Sequence, residues 1–140
     1  MNFKDYIKTH NILADGSFGT YYAEKYHTNE APEYANIYHK DRVTNIHSSY
    51  LDAGANLIRT NTFAANTMSM QKDFSFVEDN IKEAVSLAKI AVKLSGKKDI
   101  FIAGDIGPVS TVSGVSDENL INEYFNIAKT FADEGIEIIQ

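Results

Sequence analysis

Three short segments hold the residues best suited to chemistry. In Asp15-Gly16-Ser17-Phe18-Gly19-Thr20 a carboxylate precedes two glycines that flank a tight turn. Such glycines let the backbone approach a ligand and present successive N–H groups to an anion, while the Asp15 carboxylate suits a cationic amine. A plain glycine turn capped by Asp15 would use the same residues. Thr60-Asn61-Thr62-Phe63 offers side-chain donors and acceptors for the mouth of a site, or a pair that satisfies loop backbone. Gly104-Asp105-Ile106-Gly107-Pro108 is a tight loop that either admits a ligand closely or turns the chain. The first segment has the spacing of neither a dinucleotide-binding G-x-G-x-x-G nor a P-loop.

Other chemistries are excluded by composition. There is no cysteine, so this polypeptide offers no disulfide, thiolate nucleophile or Cys-based zinc site. His10, His27, His39 and His47 are not paired as H-E-x-x-H requires, and His39 and His47 lie two turns apart without an acidic partner in register. No metal is assigned to them, and His47 falls on the apolar face of a predicted helix. With 13 basic against 19 acidic residues the chain carries a net charge of −6, which argues against nucleic acid and against a polybasic membrane surface. The 8 Tyr and 8 Phe lack basic interleaving and are expected in core and loop packing. The polar start, Met1-Asn2-Phe3-Lys4-Asp5, has no apolar run long enough for a signal peptide or membrane span, so a cytoplasmic location is expected.

The three segments follow apolar runs that alternate with helical periodicity. Val43, Ile46, His47, Tyr50 and Leu51 predict an amphipathic helix over about 41–53 that stops at Gly54. Ser75 and Glu78, in capping-box spacing, open a second, with Val77, Ile81, Ala84, Val85, Ala88 and Val92 on one face and Gly96 at its end. After Ser116-Asp117 a third carries Leu120, Ile121, Tyr124, Phe125, Ala128, Phe131 and Ala132 on a stripe stopped by Gly135. Strand-like runs occupy 12–14, 56–60, 100–103 and 136–139, each too apolar to face water on one side, which implies a parallel sheet.

The fold class is therefore α/β, in the order strand-helix-strand-helix-strand-helix-strand. Strand ends recur at about 45-residue spacing, and eight such units would take roughly 280–300 residues, within barrel range. The expectation is the first half of a (βα)8 TIM barrel, truncated at Gln140, with a doubly wound sheet as the competing fold because periodicity does not give strand order.

The motifs resemble one family in order and spacing along nearly the whole chain. Ile12 to Thr20 is similar to the D-G-x-x-G-T opening of homocysteine S-methyltransferase domains. Ile46 to Asn56, followed by Thr60 to Phe63, resembles their I-H-x-x-Y-x-x-A-G-A-(D/N) and T-N-T-F signatures, and Gly104 to Pro108 their G-x-x-G-P loop. The opening is also like that of cobalamin-dependent methionine synthase and of bifunctional proteins carrying methylenetetrahydrofolate reductase. The resemblance implies a barrel that transfers a methyl group to the homocysteine thiol, giving methionine. A zinc ion on three cysteines would hold the thiolate, whose nucleophilicity is the purpose of the metal.

It further implies that Asp15, Gly16, Ser17, Phe18 and Gly19 hold the amino-acid end of homocysteine, with Asn61 and Thr62 lining the same mouth. Two departures accompany this. The family's fourth-strand glutamate and zinc cysteines lie beyond Gln140, and Ser17-Phe18 stands where a small residue and methionine are commoner. Residues 1–140 are thus expected to be the N-terminal part of a methyltransferase barrel, without catalytic residues of their own and inactive alone. The alternative is a self-standing half-barrel serving as a binding or structural module.

The methyl donor stays open among a methylfolate, used directly or through cobalamin on other domains, S-methylmethionine and betaine. A homo-oligomer through exposed sheet edges is also open. From the missing cysteines we expect the isolated chain to bind no stoichiometric zinc; about one zinc per chain in metal analysis after dialysis would refute that.

Overall fold

A computed structural model describes residues 1–109 and 115–140. Seven α-helices are described: α1 (Phe3–Tyr6), α2 (Phe18–Tyr26), α3 (Ala35–Tyr38), α4 (Lys40–Asp52), α5 (Thr67–Met70), α6 (Phe74–Ser95) and α7 (Asp117–Asp133). A 3-10 turn at Pro32–Tyr34 leads into α3, and the strands are β1 (Leu57–Arg59), β2 (Phe101–Gly104) and β3 (Ile138–Ile139).

The sheet runs β1-β2-β3, all parallel, with Ile58 beside Ile102 and Ala103 beside Ile138. The predicted first strand is reduced to one parallel bridge, Ala14 to Leu57. Its pairing is cut short because the Leu13 N–H donates to the Asn56 side chain, at 2.7 Å, in place of a backbone carbonyl. Leu13 is consequently 57% exposed, so this edge run is less buried than its composition predicts. The order of the four runs is nonetheless sequential across the sheet. That differs from doubly wound sheets, in which the order reverses at a switch point.

Helices α4, α6 and α7 match the three predicted helices, and their glycine stops take positive φ as expected, Gly54 at 105°, Gly96 at 62° and Gly135 at 77°. Two details differ. Helix α6 is capped by Asp73, whose carboxylate accepts the Phe76 N–H at 3.0 Å, so its cap lies two residues before the predicted Ser75. On α7 the inward face is Glu123, Ile127, Thr130 and Phe131, while Ile121 and Phe125 of the predicted stripe are 67% and 64% exposed. Apolar residues lie on two sides of that helix, and contact with α6 selects only one.

Burial is concentrated on α6. Val77, Ile81 and Val85 pack with Ile127, Phe131 and Ile136, and Ala88 and Ala91 pack with Leu51 and Ile58. A third cluster joins Tyr22 of α2, Val43 and Ile46 of α4 and Leu87. The expected core role of the aromatic residues holds here for Tyr22 and Phe131.

His47 on α4 is fully buried, as its place on the apolar face predicts, and tilts against Phe18 with ring centroids 5.3 Å apart. Neither ring nitrogen has a hydrogen-bond partner among the described residues. Burial lowers its pKa from 6.5 to about 4. The folded chain therefore refuses a proton that the unfolded chain takes up below pH 6.5. Stability is fully present above pH 6.5 and falls by roughly 3 kcal/mol as pH drops toward 4. Urea unfolding across that range should show this loss, and His47→Leu should remove much of it; superimposable pH profiles would contradict the assignment.

Candidate functional site

The three motif segments meet at the carboxyl ends of the strands. Together they line one cleft of roughly 620 Å³, whose walls include all seven predicted site residues: Asp15, Gly16, Ser17, Phe18, Gly19, Asn61 and Thr62. Glu33, Arg59, Phe63 and Asp105 are also among its lining residues.

The first loop is the start of helix α2, which the sequence reading did not anticipate. Its cap is Ser17, whose hydroxyl accepts the Thr20 N–H at 3.3 Å, so Asp15 is free of the capping role considered for it. The Phe18 and Gly19 N–H groups occupy the first turn, where no carbonyl of the helix lies ahead to accept them. That turn is an anion-binding geometry beside the cleft. At Gly16 the Tyr50 hydroxyl lies only 2.9 Å from where a Cβ would stand, so a larger residue there would have to displace that ring. The same hydroxyl donates to the Ser17 carbonyl at 2.7 Å and holds the loop on α4. Burial and the nearby Asp15 carboxylate push the Tyr50 phenol up, which keeps it a donor.

Asp15 is taken up by Arg59 at the end of β1. Its Oδ2 accepts the Arg59 backbone N–H at 2.9 Å and its Oδ1 accepts Nε at 2.8 Å, while Nη2 donates to the Asp15 and Gly16 carbonyls. The Asp15 side chain is 1% exposed and that of Arg59 25%. Burial opposes the Arg59 charge, but hydrogen bonding to Asp15 and the charges of Asp15 and Asp105 outweigh it and raise its pKa. The sequence reading missed Arg59. A lone cation at the end of an otherwise apolar strand run was the available signal.

The T-N-T-F segment locks the second loop to the third. Asp105 N–H donates to Thr60 Oγ1, Thr60 Oγ1 to Thr62 Oγ1, and Thr62 Oγ1 to the Asp105 carbonyl, closing a ring with distances of 3.1, 2.7 and 2.7 Å. Gly107 follows from the same contact: its N–H donates to the Phe63 carbonyl at 3.0 Å, and a Cβ would stand 2.3 Å from that oxygen.

Asn61 points into the scaffold, donating to the Pro32 carbonyl and to Asn36 Oδ1 at 2.7 and 3.0 Å. Asn36 donates in return to the Asn61 carbonyl and to Asn80, which donates to the Glu33 carbonyl. Glu33 Oε1 accepts the Ala64 N–H at 2.9 Å. The polar atoms of Asn61 and Thr62 thus tie the wall of the cleft together. Glu33 and Asn36 carried no motif by which they could have been found.

The sequence model of the homocysteine S-methyltransferase family matches residues 12–140. The chain belongs to the homocysteine S-methyltransferase family. It is 32% identical over 117 residues to the S-methylmethionine–homocysteine S-methyltransferase of Pongo abelii, covering 81% of this chain and 30% of that protein. Among solved structures it resembles the homocysteine methyltransferase MmuM of Escherichia coli. The metallated form gives a TM-score of 0.79 at 18% identity, covering 97% of this chain and 55% of that one. The apo form gives 0.74 at 22% identity, covering 95% and 49%. The chain therefore spans about half the length of the solved structures it matches and less of the mammalian relative.

For the zinc that the family resemblance implies, the donor chemistry of these residues does not fit. The sequence contains no cysteine, and no group of three His, Asp or Glu side chains is placed to hold a metal among the described residues. No helix among the described residues is long and apolar enough to cross a membrane.

Loss of Arg59 would leave the Asp15 carboxylate buried without its partner. Arg59→Met should destabilise the chain by about 3 kcal/mol in urea unfolding, and Arg59→Lys should recover only part of this because an ammonium cannot reproduce the fork of donors. Unchanged stability in both variants would show that the pair does not hold the first loop.

Proposed function

We propose that this chain provides the amino-acid-binding wall of an enzyme that transfers a methyl group to the thiol of homocysteine, forming methionine, and that its fold is the first half of a (βα)8 barrel. The observation that carries this reading is the convergence of three family motifs on one cleft, with the free N–H groups of a helix N-terminus at its edge.

In this reading Asp15 to Gly19 form the surface that meets the amino-acid end of homocysteine. The Phe18 and Gly19 N–H groups receive its carboxylate, for which the helix N-terminus supplies partial positive charge without an additional side chain. Asn61 and Thr62 hold that surface rigid, and the Phe18 and Phe63 rings cover the methylene groups and exclude water. Because the 140 residues include no cysteine, activation of the thiol is not among the tasks we assign to them. Zinc, held by other residues, would supply that chemistry by stabilising the thiolate. The isolated chain accordingly binds homocysteine without turning it over.

Titration of the isotopically labelled chain with L-homocysteine should move the amide signals of Gly16 to Gly19 in a saturable way, with smaller shifts at Asn61 and Thr62. An unperturbed first loop at saturating ligand would overturn the reading. Methyl transfer by the isolated chain would overturn the claim that it is inactive alone.

A further inference from the structure

The carbonyl of Ser17 is held twice. As the cap residue of α2 it accepts the first bond of the helix. It also receives the Tyr50 hydroxyl of α4 at 2.7 Å, across 33 residues of sequence. The same ring meets Tyr21, one turn further along α2, edge-on with centroids 5.6 Å apart, so a single side chain of α4 grips both ends of that first turn. Its approach depends on Gly16, where a Cβ would stand 2.9 Å from the hydroxyl. The preceding carbonyl, that of Gly16, is taken separately by Arg59 Nη2 at 2.9 Å.

A trans peptide unit is planar, and its N–H points opposite to its C=O. The Ser17 carbonyl and the Phe18 N–H belong to one such unit. Ser17 and Phe18 line the cleft and Tyr50 does not, so drawing the carbonyl toward α4 turns the N–H the other way. Resting on the proposed homocysteine site, we infer that Tyr50 is a positioning residue whose hydroxyl, by holding this peptide on α4, aims the Phe18 N–H at the carboxylate of the ligand. Aim matters because a hydrogen bond weakens steeply once its angle falls below about 120°. Burial and the Asp15 charge push the Tyr50 phenol up, so it stays a donor at neutral pH.

The test uses L-homocysteine and its carboxamide, which differ only at the carboxylate, as ligands for the 140-residue chain in calorimetry, with the amide signals followed by NMR. Tyr50→Phe keeps the ring and the helix bond, and should unfold at nearly the wild-type urea concentration. It should weaken homocysteine roughly 3- to 10-fold, the range for one hydrogen bond, and leave the carboxamide unchanged. At saturating homocysteine the shift of its Phe18 amide proton should be smaller than in wild type, while those of Asn61 and Thr62 persist. Gly16→Ala retains Tyr50 but displaces its hydroxyl, and should show the same smaller Phe18 shift.

A full Phe18 shift in both variants, or wild-type homocysteine affinity in Tyr50→Phe, overturns the inference alone. So does equal weakening of the two ligands, which marks a merely structural role for the hydroxyl. Failure of the wild-type chain to bind homocysteine overturns the homocysteine site itself, and this inference with it.

Discussion

The paired charges of Asp15 and Arg59 are the constraint around which the cleft is arranged. They join a loop that ends an edge run to the end of a central strand, across a separation of 44 residues in sequence. Burying either charge alone would be costly, so the two must arrive together, and the Arg59 backbone N–H and side chain share the carboxylate. Nη2 then draws in the carbonyls of Asp15 and Gly16, turning the chain into helix α2. The position of that helix's first turn at the edge of the cleft is a consequence of how this pair is satisfied.

The other two loops are tied by neutral hydrogen bonds with the same logic. The ring of Thr60, Thr62 and Asp105 fixes the end of β1 against the end of β2, and Gly107 fits under the Phe63 carbonyl where no other residue would. Asn36, Asn61 and Asn80, all buried, saturate one another and the backbone around Pro32 and Glu33. Most polar groups of the family motifs are spent on neighbouring loops. Among the described residues the Asp105 carboxylate at the cleft has no side-chain hydrogen bond, and the Phe18 and Gly19 N–H groups lie in a helix first turn with no helix carbonyl ahead of them. A rigid scaffold with a small number of free, convergent polar groups is what a selective small-molecule site requires.

Much of this was legible from residue order. Apolar spacing located α4, α6 and α7 to within a residue or two, because each buries one stripe against a neighbour and ends at a glycine that adopts a left-handed conformation. The motif segments were legible as strand-end loops because glycines and short polar residues cluster there for steric reasons. Helix α2 was not, since its first turn coincides with the glycine segment and only Tyr22 of its nine residues is buried. The face of α7 was misjudged because Ile121 and Phe125 are as apolar as Ile127 and Phe131, and hydrophobicity does not say which side a neighbour occupies. The first strand run shrank to a bridge because one asparagine side chain took a backbone position in the ladder.

The sequence by itself determined the alternation of strands and helices, the glycine positions, the absence of cysteine ligands and the family, because these depend on local sterics, periodicity and residue type. Only the tertiary structure decided which partners the polar groups of each motif take. The partner of the Asp15 carboxylate, Arg59, lies 44 residues away in sequence, and Thr60 and Thr62, which bond the Asp105 backbone, lie about as far from that residue. Two aspartates that look alike in the sequence therefore acquire different surroundings through contacts that form only when the loops are brought together.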